Sequence, residues 1–355
     1  MRPKKETDRD AVQKNPDSER EVPVTRWIVN VLVLLSACGA MCAKSIAQQE
    51  HRKPHVGGVL AIPAKGYLVQ EIRDGLYWVS DGAYNTMFLV TSDGVIAVDA
   101  PPTLGANYLK AIAEVTQQPV KYVVYSHEHT DHIGAAYLFS KDVKIVAQKE
   151  TAEILAQRKD PHRPVPTITF TDTYTLKLGG QTLILDYPGI NHERGNIFIY
   201  APQQKALMLV DVVYPGYMPY KNLGIAEDVP GYMDVQEKAL KYDFSTFVGG
   251  HVTRLGDRSD VELSLEFTSD LYQTAASALN SLSLADFVIA NAGTAKDKWD
   301  LHNEYEKAVV NRCYNQLLPR WQYRLADSPT YLRDNCWAMM ESIIVTFPPE
   351  GQEKA

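Results

Sequence analysis

From residue 67 onward the chain alternates short apolar runs, rich in β-branched and aromatic residues, with brief polar turns. Residues 67–72, 76–80, 86–91 and 95–99 read as four strands, separated by Gly-containing turns such as Ser92-Asp93-Gly94. Leu104, Tyr108, Ile112 and Val115 then fall on one face of a helix over 104–115. A buried strand reaches Val123-Val124-Tyr125, a short helix opens over 134–139, 143–147 is another strand, and 151–158 is helical. Strands at 174–178 and 182–186 flank Gly179-Gly180 as a hairpin. Further strands follow at 197–200 and 206–210, a helix at 235–242 and a last strand at 246–248. Strands and helices alternating in this way argue for a layered α/β sandwich.

After residue 260 the pattern changes. Residues 261–290 and 301–340 have helical spacing and little Gly, with Pro319 and Pro329 as punctuation. A C-terminal helical extension over 261–355 follows, its aromatic residues serving chiefly as core against the sandwich. A lid or dimer surface is the sharper alternative.

The chemistry concentrates in Ser126-His127-Glu128-His129-Thr130-Asp131-His132, directly after the apolar run. Three of only nine histidines in 355 residues fall here, which makes an accidental polar loop a poor account. In an extended segment His127 and His129 point to one side and can share a metal ion. Asp131 and His132 follow as the chain turns and can reach a second. Imidazole and carboxylate together suit zinc or iron. His192, Asp211 and His251 each stand at or beyond the end of a strand-like run, so the same arrangement recurs along the chain.

The order His127-x-His129-x-Asp131-His132, His192, Asp211, His251 resembles the metallo-β-lactamase superfamily over residues 66–260, and Asp99 resembles that family's early strand-end aspartate. The resemblance implies an α/β fold, the αββα metallo-β-lactamase sandwich, holding two zinc ions per chain. By position, His127, His129 and His192 would hold the first ion. Asp131, His132 and His251 would hold the second, with Asp211 bridging. It also implies a zinc-dependent hydrolase in which a metal-bridging hydroxide, oriented by Asp131, attacks a small amide, lactone, ester or thioester. The stretches 191–200 and 222–224 look like true zinc β-lactamases, which makes Asn222 a candidate contact to the substrate carbonyl. Asp211 departs from that subclass, where a cysteine is expected, and resembles glyoxalase II and lactonase members instead. A metallo-β-lactamase proper and an iron-dependent redox member of the same fold are the alternatives. The redox alternative is weakened because His129 is retained and no Gly-rich flavin motif follows. A binding protein on an old enzyme scaffold would be expected to have lost ligand positions. Tyr84, Asn85, Tyr214, Tyr217, Met218, Tyr220 and Lys221 are candidate cleft walls, with Tyr217 and Lys221 the leading substrate contacts.

Composition narrows the partners. The formal net charge is −7 and no Lys/Arg-rich stripe appears, which disfavours a nucleic-acid substrate and leaves a small molecule. Oligomeric state is left open.

Residues 1–26 mix seven basic and six acidic residues with almost no large apolar side chain, a composition that disfavours a packed core. The apolar run 27–38 is short for a membrane span and reads as the core of a secretory signal, with Arg26 before it and cleavage after Ala47. Leu35-Ser36-Ala37-Cys38 also resembles a lipoprotein cleavage box, and an uncleaved anchor is the third reading. Residues 1–47 are thus leader plus signal or anchor, and 48–65 a linker. All three readings place the enzyme in the periplasm or outside the cell, either free or as a membrane-anchored lipoprotein facing the periplasm. Membrane contact is expected only through this N-terminal segment. Cys313 and Cys336 lie in the extension, where they either pair as a disulfide or stand as separate buried thiols.

Overall fold

A computed structural model describes residues 57, 60–252 and 254–346. The N-terminal signal, lipid or anchor expectations fall outside these residues. Among the described residues, no helix is long and apolar enough to cross a membrane.

Two sheets form the centre. The first runs β1 (Leu68–Arg73), β2 (Leu76–Ser80), β3 (Asn85–Thr91), β4 (Gly94–Val98), β5 (Val120–Val124), β6 (Lys144–Gln148) and β7 (Ile168–Phe170), in that order. Its first four strands pair antiparallel, and β4 to β7 pair parallel. The second sheet contains β8 (Thr173–Leu178), β9 (Gln181–Asp186), β10 (Phe198–Ala201), β11 (Ala206–Met208) and β12 (Thr246–Val248), ordered β12-β11-β10-β9-β8. The helices are α1 (Ala106–Val115), α2 (Thr130–Ile133), α3 (Lys149–Arg158), α4 (Val229–Ala239), α5 (Arg258–Ser281), α6 (Leu284–Asn291), α7 (Lys298–Trp321) and α8 (Ser328–Val345).

The period-two alternation of the strands explains the layers. Met87 and Leu89 of β3 face the second sheet, where they share a core with Leu183, Ile199 and Met208. Phe88, between them, faces the opposite way and packs with Tyr108 and Ile112 of α1. On the far side of the second sheet, Leu207 and Phe247 pack with Tyr232 of α4, Phe267 of α5 and Trp321 of α7. The result is the αββα sandwich with a C-terminal helical bundle laid over one outer layer.

Local chemistry sets several boundaries. Gly179 and Gly180 turn the β8–β9 hairpin with φ of +50° and +79°. A side chain on Gly179 would also come within 2.6 Å of the Thr91 hydroxyl. Helix α4 starts at Val229 rather than 235, because Asp228 caps it by accepting from the Gly231 N–H and Pro230 suits the first turn. Asp257 and Asp260 form a capping box that starts α5. Cys313 of α7 and Cys336 of α8 form a disulfide, with their Cα atoms 6.0 Å apart. The bundle's aromatic residues divide: Tyr305 and Trp321 are buried, whereas Trp299 and Tyr323 are exposed.

Candidate metal centre

Several donors of the cluster follow strand ends, while Asp131 and His132 stand on α2. β4 leads into Asp99, β5 into Ser126 and His127, β11 into Asp211 and β12 into His251. Asp99 and Asp211 both turn with left-handed backbone, φ 51° and 62°, directly after β4 and three residues beyond β11. The buried Asp99 carboxylate accepts from the Ser126 N–H and from the Ser126 hydroxyl, both at 2.7 Å. The Ser126 hydroxyl lies 3.0 Å from His127 Nδ1, so His127 Nε2 is the ring nitrogen directed towards Asp211.

The seven side chains named by the motif order converge. Asp211 Oδ2 lies 3.7 Å from His127 Nε2, 3.4 Å from His192 Nε2 and 3.1 Å from His132 Nε2. Its Oδ1 lies 3.1 Å from His251 Nε2. His192 Nε2 meets His129 Nδ1 at 3.1 Å, and His132 Nε2 meets His251 Nε2 at 3.2 Å. Asp131 completes the second group, its Oδ2 3.6 Å from His132 Nε2 and 3.9 Å from His251 Nε2. Donor atoms thus fall into two overlapping sets, His127/His129/His192/Asp211 and Asp131/His132/Asp211/His251, with Asp211 in both.

These residues fit a pair of divalent cations. Facing imidazole nitrogens at such distances set lone pair against lone pair unless a proton or cation lies between them. His127 Nε2 is buried without a hydrogen-bond partner, an arrangement that is costly in a protein interior and that metal ligation relieves. Burial holds the His127 imidazole well below its usual range and takes His192 down to about 4, so both present neutral, ligating nitrogens. Burial also disfavours charge on His132, but the Asp211 carboxylate outweighs it and carries that ring up to about 9. Burial alone would raise Asp211. The imidazoles of His132 and His251 instead hold it well below the usual carboxylate range.

A second set of side chains braces the motif. Glu128, between the two leading histidines, is buried. Arg163 Nη1 meets it at 2.9 Å and Arg158 Nη2 at 2.7 Å, and Arg163 also donates to the Glu128 carbonyl at 2.6 Å. Glu193 accepts from the Glu128 N–H at 3.0 Å and places its other oxygen 3.4 Å from His129 Nε2, leaving His129 Nδ1 to the metal side. Sequence reasoning passed over this brace. Arg163 sits in a Pro-rich loop with no local signal, whereas Glu128 and Glu193, each beside a motif histidine, were available cues.

The centre opens into a cleft of about 660 Å³. Tyr217 lines it, with Tyr84, Tyr214, Met218 and Tyr220 from the candidate wall positions. Asn222 and Lys221 are not among the lining residues. Residues 222–225 form a left-handed turn that brings Gly224 and Ile225 to the cleft instead, and Lys221 Nζ lies 4.0 Å from Asp334 on α8. Asp327 and Tyr331, from the C-terminal bundle, complete the wall.

Comparison with known proteins agrees with this geometry. A family model described as the metallo-beta-lactamase superfamily matches residues 79–251. The chain is 29% identical over 236 residues to 2,4-dinitroanisole O-demethylase subunit alpha of Nocardioides sp. (strain JS1661), covering 62% of this chain and 69% of that one. It is 28% identical over 151 residues to the type 2 metallo-beta-lactamase of Elizabethkingia meningoseptica, covering 39% of this chain and 59% of that enzyme. In fold it matches a crystal structure of VMB-1 with a TM-score of 0.50 at 21% identity, covering 58% of this chain and 98% of the other.

Proposed function

Because the chain belongs to the metallo-beta-lactamase superfamily and has the make-up of a metal-dependent hydrolase, we propose that it binds two zinc ions and hydrolyses a small amide, lactone, ester or thioester. The observation that carries this reading is the double donor set sharing Asp211. His127, His129 and His192 would hold one ion, Asp131, His132 and His251 the other, and Asp211 both. When bound, two such ions lower the pKa of water and polarise a carbonyl, which removes the need for a Ser or Cys nucleophile.

The chain's own groups then orient and move protons. Asp131 is half-exposed toward the cleft and accepts from the Tyr84 hydroxyl at 3.4 Å. That bond aims the carboxylate at an incoming water and lets it take the proton shed on attack. Tyr84 keeps its own proton, since burial, reinforced by Asp131, pushes it up to about 12. Tyr214 stacks beside His251 with ring centroids 6.1 Å apart, restricting that ring from the cleft side.

Two finer readings compete within the class. β-Lactam hydrolysis is favoured by the likeness to the Elizabethkingia enzyme. Cleavage of an aryl ether is favoured by the likeness to an O-demethylase subunit. The carboxylate at position 211, in place of a thiolate, favours neither. Export to the periplasm, free or lipid-anchored, belongs to the same proposal and rests on the apolar segment 27–38.

The test is hydrolysis of a chromogenic cephalosporin, of 4-nitrophenyl esters and of the aryl ether 2,4-dinitroanisole by zinc-loaded protein, with and without a chelator. Chelator-sensitive turnover of the cephalosporin or the esters supports the reading, and turnover of the ether favours the aryl-ether branch. Turnover indifferent to chelation contradicts it, and activity restored only by iron would put iron in place of zinc as the metal of the reading.

A further inference from the structure

We propose that Asp327 and Tyr331, both from the C-terminal bundle, make this cleft selective for an uncharged substrate that carries an aromatic ring. The inference rests on the hydrolase reading and narrows its substrate class.

Five tyrosines line the cleft: Tyr84, Tyr214, Tyr217, Tyr220 and Tyr331. The rings of Tyr220 and Tyr331 lie 5.2 Å apart, so the bundle side of the wall is itself an aromatic pair. Aromatic walls stack on and surround a flat ring, and their electron-rich faces repel an anion. A volume of about 660 Å³ lies in the range of small-molecule sites.

The charges point the same way. Among the described lining residues there is no lysine or arginine, and Asp131 and the exposed Asp327 are both part of the wall. Cations close in sequence to lining residues are engaged elsewhere: Arg194 pairs with Glu227 and Arg333 lies over the Tyr314 ring. Lys221 lies beside Asp334, and Arg254 forks onto Asp260 at 2.6 and 2.9 Å. Apart from the two metal ions of the proposed centre, the wall therefore offers a substrate carboxylate or sulfonate no counter-charge, and Asp327 adds a repulsive one.

Asp327 is held in place by backbone pairing. The preceding residue, Ala326, donates its N–H to the Gly216 carbonyl and accepts from the Met218 N–H, each at 2.9 Å. Asp327 then turns with φ 58° to start α8, whose Tyr331 follows one helical turn later. This part of the wall is thus fixed by the same strand-like contact that docks the bundle beside Tyr217.

The test compares 4-nitrophenyl benzoate with 4-nitrophenyl 4-sulfobenzoate on the zinc-loaded full chain, each corrected for its rate with hydroxide. One exposed, screened repulsive charge predicts kcat/KM about two- to threefold higher for the uncharged ester. Asp327→Asn, which tolerates the left-handed backbone, should shrink that ratio, and Asp327→Lys should shrink it further. Equal or faster turnover of the sulfonate would overturn the proposal, as would a ratio unmoved by either substitution in folded protein. If neither ester is cleaved, the ester branch of the hydrolase reading fails. Binding of methyl 4-nitrophenyl sulfone against 4-nitrobenzenesulfonate, followed by calorimetry, then decides the inference by itself. Tighter binding of the sulfone supports it, and equal or tighter binding of the sulfonate overturns it.

Discussion

Asn335, fully buried on α8, accepts the backbone N–H of Leu223 at 2.7 Å and donates to the Pro219 carbonyl at 2.9 Å. One side chain from the last helix thereby fastens both ends of the loop that crosses the metal centre. The loop needs fastening, because Asn222, Leu223, Gly224 and Ile225 all have left-handed φ, a conformation that costs energy at each non-glycine residue. At Gly224 a side chain would meet the Tyr214 hydroxyl at 2.8 Å and the Asp211 carbonyl at 2.9 Å, so the backbone must pass that close to the donor set.

Asn335→Ala leaves the Leu223 N–H buried and unpaired, and should destabilise the protein by about 1–3 kcal/mol in urea unfolding. Asn335→Asp keeps the acceptor but sets a buried carboxyl against the Pro219 carbonyl, so it should recover part of that loss only in acid, where the carboxyl is protonated and can donate. A structural role confined to the bundle would leave KM for the ester substrate untouched, whereas the loop's position on the cleft predicts that KM rises.

Glu128 is the most exposed point of failure in the motif's support. It is a buried carboxylate held by Arg163 and Arg158, and removing one partner of such a pair strands the other. Glu128→Ala should lose about 3–5 kcal/mol of stability. Because Glu128 sits between His127 and His129, zinc retention after dialysis should fall as well, which elemental analysis of the folded fraction would read.

The Cys313–Cys336 disulfide closes a loop of sequence separation 23 between α7 and α8. Loop-closure entropy predicts that Cys313→Ser with Cys336→Ser costs about 3 kcal/mol. Thermal unfolding of the paired variant against the parent, with and without reductant, checks this. Reductant should lower the parent's midpoint and leave the variant's unchanged.

Glu114 gives a pH dependence away from the metal centre. Hydrogen bonds from Lys65 and Tyr67 hold its carboxyl below the usual carboxylate range. A carboxylate with a lowered folded-state pKa contributes stability above its unfolded value and loses it as pH falls through the folded value. The gap in urea midpoint between the parent and Glu114→Gln should therefore be present near about pH 6 and close toward about pH 3. A gap that widens in acid would contradict the assignment.

What could be read in the sequence was what local pattern determines. The strand before His127 shows as a β-branched run, and ligands placed at strand ends show as polar residues closing apolar segments. Periodicity predicts that helix α4 starts at 235, because Pro230 and Gly231 of its first turn have the composition of a loop, and the Asp228 cap sets the start at Val229 instead. The likeness of 222–224 to zinc β-lactamases points Asn222 toward the cleft, and Lys221 is a candidate from its place after Asp211. The left-handed turn brings Gly224 and Ile225 to the cleft, and only Asn222 and Gly224, which tolerate such backbone, hint at it in the sequence. Asp327 and Tyr331 lie far along the chain from the first motif. Their place in the wall depends on how the bundle docks, through Ala326 on Gly216 and Met218 and through Asn335 on Leu223. Such contacts follow from tertiary packing and leave no periodic trace.

The central claim is that seven side chains form two metal sites sharing Asp211. The most direct measurement is zinc stoichiometry by titration calorimetry and elemental analysis, on chelator-stripped full-length protein and on His251→Ala. The account predicts two equivalents in the parent, one for each donor set, and one in the variant. Zinc binding should also raise the thermal midpoint of the parent, because the folded state alone assembles the donors. A parent that binds no zinc, or a single equivalent unchanged by His251→Ala, would contradict it.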